Sequence, residues 1–367
     1  MLKERVVFCG IGQGGGNITR ELELKGCQCY YVNTSLDDLD TIDTSYDNKY
    51  HISKTKGMAK DIEFATEVIT SDENDDKIVE AVYKQYANAS IYFFVYTTAG
   101  GTGGGMGNKI AKRMKERFPD KIVNTINVKP HREEDMMLQY NSIQCFDEIE
   151  KLLEEDYITS IQVIDNNKRD FNKKSSINKE YADIMDEILS YTSITTEGNL
   201  DEEEIERLFM VKGVTVINKL SNKDFLDELN EADEKSIFAE HLKNPEVHGL
   251  ILNVEQDTTI NRNLIREVYG VAKLTHDTTW EENSNIIIST GTSFNKGIIT
   301  ELKKNYSELK AKKEQIEKDI LENKEDIDVD FSDLKSLSSK SKINEAQRPT
   351  SRGRRNVGVR NETRYRR

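Results

Sequence analysis

The sequence predicts an α/β protein whose N-terminal half contains a parallel β-sheet. Two observations predict this class. Short apolar runs alternate with helical patterns over residues 1–165, and two apolar runs continue directly into glycine-rich turns. Strand, helix and strand in repetition give parallel strands that helices cover on both faces. Ligands of such sheets bind at the carboxyl ends of the strands, where these glycines lie.

The elements follow in order along the chain. Apolar runs predict N-terminal strands at residues 5–9, 29–32, 91–96, 122–127 and 160–164, and periodic segments predict helices at 18–25, 77–86, 107–117 and 142–154. An apolar stripe at spacings of three and four predicts one long helix over 175–195. Further strands at 214–217, 249–254 and 286–289, with helices near 224–229 and 260–269, predict a second, smaller α/β domain. A charged helix follows over 297–325. It either docks on its own body or reaches a neighbouring subunit.

Charge is distributed unevenly along the chain. The net charge is −14, but eight arginines and one glutamate give residues 348–367 a charge of +7 and leave −21 on the remainder. An acidic body of this kind excludes non-specific nucleic-acid binding, whereas the basic tail could bind DNA or an acidic partner. Residues beyond 326 lack periodicity, and we expect them to be disordered.

Composition also bounds the compartment. No apolar run approaches the roughly 20 residues that span a bilayer, and the N-terminus lacks a signal-peptide pattern, so we expect a cytoplasmic protein without a membrane partner. The four cysteines do not have the spacing of a disulfide scaffold or a zinc site, and we expect buried thiols.

The first glycine-rich turn follows the first predicted strand. Gly10, Gly12 and Gly15 satisfy G-x-G-x-x-G, so a dinucleotide site of the NAD type is one interpretation. Such a site requires an acidic residue at the end of the next strand, and Asn33 stands there. A turn that brings helix N–H groups toward a phosphate is the other interpretation.

The second glycine-rich turn runs from Thr97 to Gly107. Two such turns in one parallel sheet predict two phosphate cradles, which suits a di- or triphosphate better than NAD, and Thr102 could donate its hydroxyl to a phosphate. The alternative is that the glycines only allow helices to pack closely on strands.

Together these segments resemble the tubulin/FtsZ GTPase family. Residues 99–105 match its signature, with Gly104 where the family usually has a small side chain, and Gln13 in the first turn is tubulin-like. The resemblance covers residues 3–300. It implies a Rossmann-like GTP-binding domain at 1–174, a central helix at 175–198, an activation domain at 199–296, a C-terminal helix at 297–326 and a basic tail at 327–367. The implied ligands are GTP or GDP with Mg²⁺, for which we assign no protein ligand.

The resemblance implies the nucleotide-binding residues one by one. Those expected near the phosphates are Gly12, Gln13, Gly14, Gly15, Asn17, Asn33, Gly57, Ala99, Gly100, Gly101, Thr102, Gly103 and Gly104. Glu134, Asp135 and Asn141 would lie near the ribose. Asn166 and Asp183 would read guanine, and Tyr181 would either stack on the base or belong to the core.

The catalytic residues implied by the resemblance are Asn199, Asp201 and Glu204. In the family this loop docks on the GTP of the next subunit in a head-to-tail filament. Carboxylates three residues apart at a helix start share one face and could orient a water against the γ-phosphate. The alternative is an acidic cluster that only caps the helix.

The C-terminus favours one branch of the family. A long charged helix followed by a basic tail resembles the TubZ-type proteins of plasmids and phages, which implies a filament that moves DNA through a DNA-binding adaptor held by the tail. DNA would then be an indirect partner. An FtsZ-like division GTPase is the alternative, and an NAD-dependent dehydrogenase is the remote one.

Overall fold

The computed structural model describes residues 2–52, 55, 57–173, 175–191, 200–220, 229, 231–252, 262–279 and 285–325. The chain divides into two compact units, Met1–Lys313 and Glu314–Arg367. The first unit confirms the predicted α/β class, since a large and mostly parallel sheet carries helices along its length.

Ten strands form the sheet. They are β1 (Val6–Ile11), β2 (Gln28–Asn33), β3 (Lys49–His51), β4 (Ile91–Thr97), β5 (Ile122–Lys129), β6 (Ser160–Asp165), β7 (Gly213–Leu220), β8 (Val247–Leu252), β9 (Leu274–Thr279) and β10 (Asn285–Thr292).

Eleven described α-helices accompany these strands. They are α1 (Gly12–Leu24), α2 (Leu36–Asp40), α3 (Ile62–Thr70), α4 (Asn74–Gln85), α5 (Gly101–Arg117), α6 (Met136–Glu154), α7 (Ser176–Leu189), α8 (Glu202–Leu208), α9 (Ala232–Lys235), α10 (Arg262–Tyr269) and α11 (Gly297–Glu325).

The strands lie in the order β3-β2-β1-β4-β5-β6-β7-β10-β8-β9. Every pair from β3 to β6 is parallel, so these six strands end at the same edge, called here the carboxyl edge. The opposite edge is called the amino edge. β7 continues the sheet through a short parallel pairing with β6, and β10 runs antiparallel to both β7 and β8. One sheet therefore runs through both predicted α/β domains, whose bounds remain a prediction.

One large cluster of buried side chains covers most of this sheet. Aromatic side chains on β1 and β4 are fully buried, and Phe8 stacks on Phe93 with ring centroids 5.3 Å apart. A smaller cluster that includes Leu250 and Ile287 lies under β8 and β10. All four cysteines are free and buried, as expected.

Several elements differ from the sequence prediction at their starts. Helix α1 begins at Gly12 rather than at residue 18, and α5 begins at Gly101 rather than at 107. Glycine has low helix propensity, so the periodicity of apolar residues does not reveal these turns. The short strands β3 and β9 also went unpredicted because they hold few apolar residues.

The central helix and the C-terminal helix lie close to the positions predicted for them. Helix α7 ends at Leu189, while most of the helix expected near 224–229 and the basic tail lie outside the described residues. In α11, Leu302 is buried and Tyr306 lies against Tyr140, so the first part of this helix docks on its own body. Ile316 and Ile320, further along, are exposed. Within the described part of the chain, no helix is long and apolar enough to cross a membrane.

Candidate functional site

The two glycine-rich turns lie side by side at the carboxyl edge. Strands β1 and β4 are parallel neighbours, and Ile11 pairs with Tyr96 just before the turns begin. Gly12 adopts a positive φ of +69°, and a Cβ placed there would lie 3.2 Å from the Cβ of Thr102. The two predicted cradles are therefore in contact, and residues 10–17 and 97–107 together are called the cradle below.

Helices α1 and α5 both begin at this cradle. Their N-cap residues are Ile11 and Gly100, neither of which has a side-chain oxygen to accept the first N–H groups. The unpaired N–H groups and the positive ends of two helix dipoles thus point to the same place. An anion with several oxygens, such as a polyphosphate, suits this arrangement.

Several glycines of the two turns also have a packing role. A Cβ on Gly15 would lie 2.0 Å from the carbonyl oxygen of Val95, and one on Gly104 would lie 2.5 Å from that of Thr98. Side chains at these positions would push the helices off β4. The close-packing interpretation is therefore correct for these glycines, and it explains why glycine stands at 104.

The loop after β2 closes one side of the cradle. The hydroxyl of Thr34 lies 2.8 Å from that of Thr102, which ties this loop to the second glycine turn. Asn33 is buried, and its amide donates to Asp38 at 3.2 Å. Gly57 donates its N–H to the carbonyl of Thr34 at 3.2 Å. The segment that contains Gly57 therefore lies beside the loop after β2.

A small cavity lies beside the start of α1. Its lining includes Gly12, Gln13, Asn17, Asn33 and Asp38. Gln13 and Asn17 are exposed. These side chains are available to a ligand at the helix start.

The residues expected near the ribose occupy two kinds of position. Asn141 is buried, and its amide donates to the carbonyls of Lys60 at 2.8 Å and Ala99 at 3.1 Å. Its amide therefore joins two loops of the cradle. Glu134 and Asp135 precede α6, and the exposed Asp135 lies 3.7 Å from the ammonium of Lys60.

The end of β6 contributes two asparagines. Asn166 is half-buried at the start of a 3₁₀ turn. Its neighbour Asn167 is the one that fixes the loops: its amide oxygen accepts from the N–H of Arg132 at 2.8 Å. Asn167 was not among the predicted residues, because either asparagine fits the strand end equally well.

Two residues that were expected to contact the guanine base have other partners in the structure. Tyr181 is fully buried, and its hydroxyl donates to Gln162 at 2.8 Å, so it belongs to the core. Asp183 pairs with Lys25 at 2.5 Å, just beyond the C-terminal end of α1 and so away from the glycine turns. Helix α7 follows β6 and descends toward the amino edge. Its first turn, which contains Asn178, follows the 3₁₀ turns at the end of β6.

The predicted catalytic acids lie together at the start of α8. Asp201 is the N-cap, and one of its oxygens accepts from the N–H groups of Glu203 at 2.8 Å and Glu204 at 2.9 Å. A side-chain hydrogen bond with Glu204, together with these backbone donors, lowers the pKa of Asp201 below its usual value. Asp201 thus caps the helix, and its carboxylate is exposed and ionised at neutral pH. Asn199 lies outside the described residues.

Helix α8 is fixed at the amino edge. Glu206 accepts from Arg5 at 2.5 Å and from Ser90 at 2.5 Å, and these two residues immediately precede β1 and β4. The glycine turns follow the same two strands at their other ends. At ~3.3 Å per residue, the six residues of β1 separate the two groups by about 20 Å. The acids of one chain therefore cannot reach its own cradle.

Comparison with known proteins places these features in a family. The GTPase-domain model of the tubulin/FtsZ family matches residues 5–169. The tubulin-like protein TubZ of Clostridium botulinum C phage is 31% identical over 294 residues, which make up 79% of this chain and 79% of that protein.

Solved structures agree with this match. The tail-truncated TubZ of Clostridium botulinum phage c-st superposes with a TM-score of 0.77 at 29% identity, covering 85% of this chain and all of that one (100%). A GTPγS-form protofilament of Bacillus thuringiensis serovar israelensis TubZ gives a TM-score of 0.74 at 18% identity over 86% of this chain and 94% of that one, which shows the shared fold. The chain therefore belongs to the tubulin/FtsZ family, and within that family it resembles the TubZ proteins.

Proposed function

We propose that this chain is a filament-forming GTPase whose active site is completed by the next subunit. The single observation that carries the proposal is the separation of the cradle and the acidic pair Asp201 and Glu204 to opposite edges of one sheet. A heterologous contact that repeats head to tail brings the amino edge of one subunit onto the carboxyl edge of the next. It unites the two groups at every contact.

The two edges also carry exposed apolar side chains. Leu24, Val271 and Leu274 lie at the amino edge, and Leu36 and Met137 lie at the carboxyl edge. Stacking would remove this surface from water, which favours association by about 25 cal/mol per Å² of apolar area. The same contact that completes the site is thus favoured by burial.

In the proposed mechanism the first turns of α1 and α5 hold the phosphates through their N–H groups. Asp201 and Glu204 of the neighbouring subunit orient a water toward the γ-phosphate, and the lowered pKa of Asp201 keeps it able to accept a hydrogen bond from that water. Catalysis of phosphoryl transfer consists mainly of such positioning and electrostatic stabilisation.

The donor set also fits Mg²⁺. Mg²⁺ at phosphate sites takes one or two carboxylates and completes its shell with phosphate oxygens and water. Asp38 is a carboxylate in the cavity lining beside Gly12, and among the described residues there is no cluster of three or more acids, histidines or cysteines. Asp38 would hold the ion, which supplies positive charge against the phosphates.

For guanine we propose Asn178 in place of Asp183. Guanine presents two adjacent N–H donors, and an amide oxygen at the first turn of α7 can accept from them, while Asp183 is paired with Lys25. Asn178→Ala should lower the affinity for GTP by about tenfold, since one hydrogen-bond partner of a buried donor is lost. Asp183→Ala is the matched control on the same helix and should bind GTP normally. The opposite result would restore the original assignment.

We also propose that the filament moves plasmid or phage DNA through an adaptor held by the arginine-rich tail. The match to a phage TubZ and the +7 charge of residues 348–367 support this function. The FtsZ-like alternative assigns a membrane-anchor partner to the tail. Pull-downs with the full chain and with a chain ending at residue 346 separate the two, because only the first hypothesis predicts a tail-dependent DNA-binding protein.

The experiment that tests the GTPase proposal measures GTP turnover and light scattering on the same samples over a range of protein concentrations. A site shared between subunits predicts a threshold above which turnover per molecule and scattering rise together. Turnover proportional to concentration, with no scattering, would mean a site complete within one chain and would refute the proposal. Absence of an NAD-induced thermal shift would dispose of the dehydrogenase alternative, which the family assignment already disfavours.

A further inference from the structure

A buried lysine joins the C-terminal helix to the carboxyl edge of the sheet. Lys129 is the last residue of β5 and is 1% exposed. Its ammonium lies 2.9 Å from Asp165 at the end of β6 and 2.5 Å from Glu301 on α11. A buried ammonium is retained only when it is paired, so these two carboxylates hold its position.

The chain of polar contacts continues from Asp165 to the loops of the cradle. The second oxygen of Asp165 accepts from the backbone N–H of Asn167 at 2.9 Å and from its side-chain amide at 2.8 Å. Asn167 in turn accepts from the N–H of Arg132 at 2.8 Å. Residue 132 lies in the segment between β5 and α6, which contains Glu134.

We propose that Lys129 is a positioning residue that couples the docking of α11 to nucleotide binding. The inference rests on the proposed function, since it takes guanine nucleotide as the ligand at this edge. With Glu301 in place, Lys129 is fixed between two carboxylates. The hydrogen bonds of Asn167 to Asp165 and Arg132 then hold the loop of residues 130–135 in the conformation that binds the ligand. A preorganised loop binds more tightly because less ordering remains to be done on binding.

Coupling of this kind is reciprocal. If docking of α11 raises nucleotide affinity, bound nucleotide must stabilise the docked helix by the same factor. The nucleotide state would thereby reach the helix that leads to the basic tail.

A second ion pair at the same helix provides a matched control. Lys296, directly before α11, lies 2.9 Å from Glu150 on α6. This pair also fastens the start of the helix, but Glu150 is not part of the Lys129–Asp165–Asn167 chain. Glu301→Gln and Glu150→Gln each remove one carboxylate charge from a pair that anchors α11.

The test uses the full chain, freed of nucleotide and kept below the concentration at which scattering rises. Binding of a fluorescent GDP analogue and thermal unfolding are measured for the wild type and both variants. Glu301→Gln should weaken binding by about threefold or more, whereas Glu150→Gln should stay within about 1.5-fold of the wild type, because only the first interrupts the coupling. Glu301→Gln should lose more thermal stability than Glu150→Gln, because it removes one of the two partners of the buried Lys129, whereas Lys296 is largely exposed to water.

Equal nucleotide affinity in the two variants would overturn the inference and leave Lys129 a purely structural residue. A wild type that binds no guanine nucleotide would instead refute the proposed function itself. If Glu301→Gln fails to fold, Asn167→Ala interrupts the same chain at its other end and should weaken binding in the same way. Hydrogen exchange provides the reciprocal readout: GDP should slow exchange at residues 298–302 in the wild type and have less effect in Glu301→Gln.

Discussion

Asp201 has two roles that substitution can separate. Its carboxylate caps α8 through two backbone N–H groups, and the proposed function also gives it a part in hydrolysis on the neighbouring subunit. Asparagine caps a helix about as well as aspartate, whereas alanine cannot cap it at all. Asp201→Asn therefore removes the charge and keeps the cap, and Asp201→Ala removes both.

The structure sets the expected magnitudes. Loss of the cap in Asp201→Ala should lower the free energy of unfolding by about 1 kcal/mol, which lowers the Tm by about 1.5 °C for the compact unit Met1–Lys313. Asp201→Asn should leave the Tm within about 1 °C of the wild type by the same scale. Turnover should fall by about 100-fold or more in both variants, since general base assistance contributes at least that factor.

The assay combines GTP turnover, nucleotide affinity, pelleting and thermal unfolding for the two variants. Glu203→Gln is the control, because Glu203 lies in the same exposed turn and contributes only its backbone N–H to the cap. We expect polymer that pellets with GTP still bound in Asp201→Asn, and normal turnover in the control. Turnover in Asp201→Asn within about threefold of the wild type, far short of the factor expected for a lost base, would refute the catalytic assignment.

Three further outcomes follow from the structure. Gly12→Ala places a side chain at a φ of +69° beside the second glycine turn, so we expect a stability loss of about 1 kcal/mol or more and weakened GTP binding, measured by chemical unfolding and titration. His248 is buried with its Nε2 3.0 Å from the carbonyl of Gly270, and burial lowers its pKa below 6.5. The unfolded state then takes up the proton first, so the unfolding free energy should fall as pH drops below 6.5, and His248→Gln should flatten that slope in unfolding titrations. Glu206→Gln removes the charge that pairs with Arg5, so we expect a loss of about 1 kcal/mol in stability with nucleotide affinity unchanged, because the pair lies at the amino edge.

Much of the fold was predictable because buried parallel strands read as apolar runs. The strands that contain Phe8 and Phe93 are such runs, and their alternation with helices fixed the α/β class. The first turns of α1 and α5 were not predictable, because their glycines oppose helix formation and only contact with β4 holds them. The antiparallel end of the sheet also escaped prediction in detail, since the direction of β10 is a tertiary property that no local pattern reveals.

The candidate site was predictable where a local motif determines it. The glycine turns carry their own signature, and the structure brings them together as expected. Residues on α7 were harder to assign, since the sequence does not show which positions along this helix lie close to the nucleotide. Asp183 was chosen for its chemistry, but its height along the helix places it beside Lys25. Asn141 likewise has the right chemistry for a ribose, and only its hydrogen bonds reveal that it supports the backbone.

The separation of the cradle from the α8 carboxylates makes the two tips of any proposed stack chemically different. At one tip the last subunit presents its glycine turns to solvent, and no α8 faces its GTP. That nucleotide persists for as long as the subunit stays terminal, however old the polymer is. At the other tip the last subunit presents unused carboxylates, while its own GTP is already covered. Such a polymer keeps GTP in the last subunit at one tip only, and each added subunit takes over that position. Whether a GTP is hydrolysed therefore depends on the addition of the next subunit and not on the time since assembly.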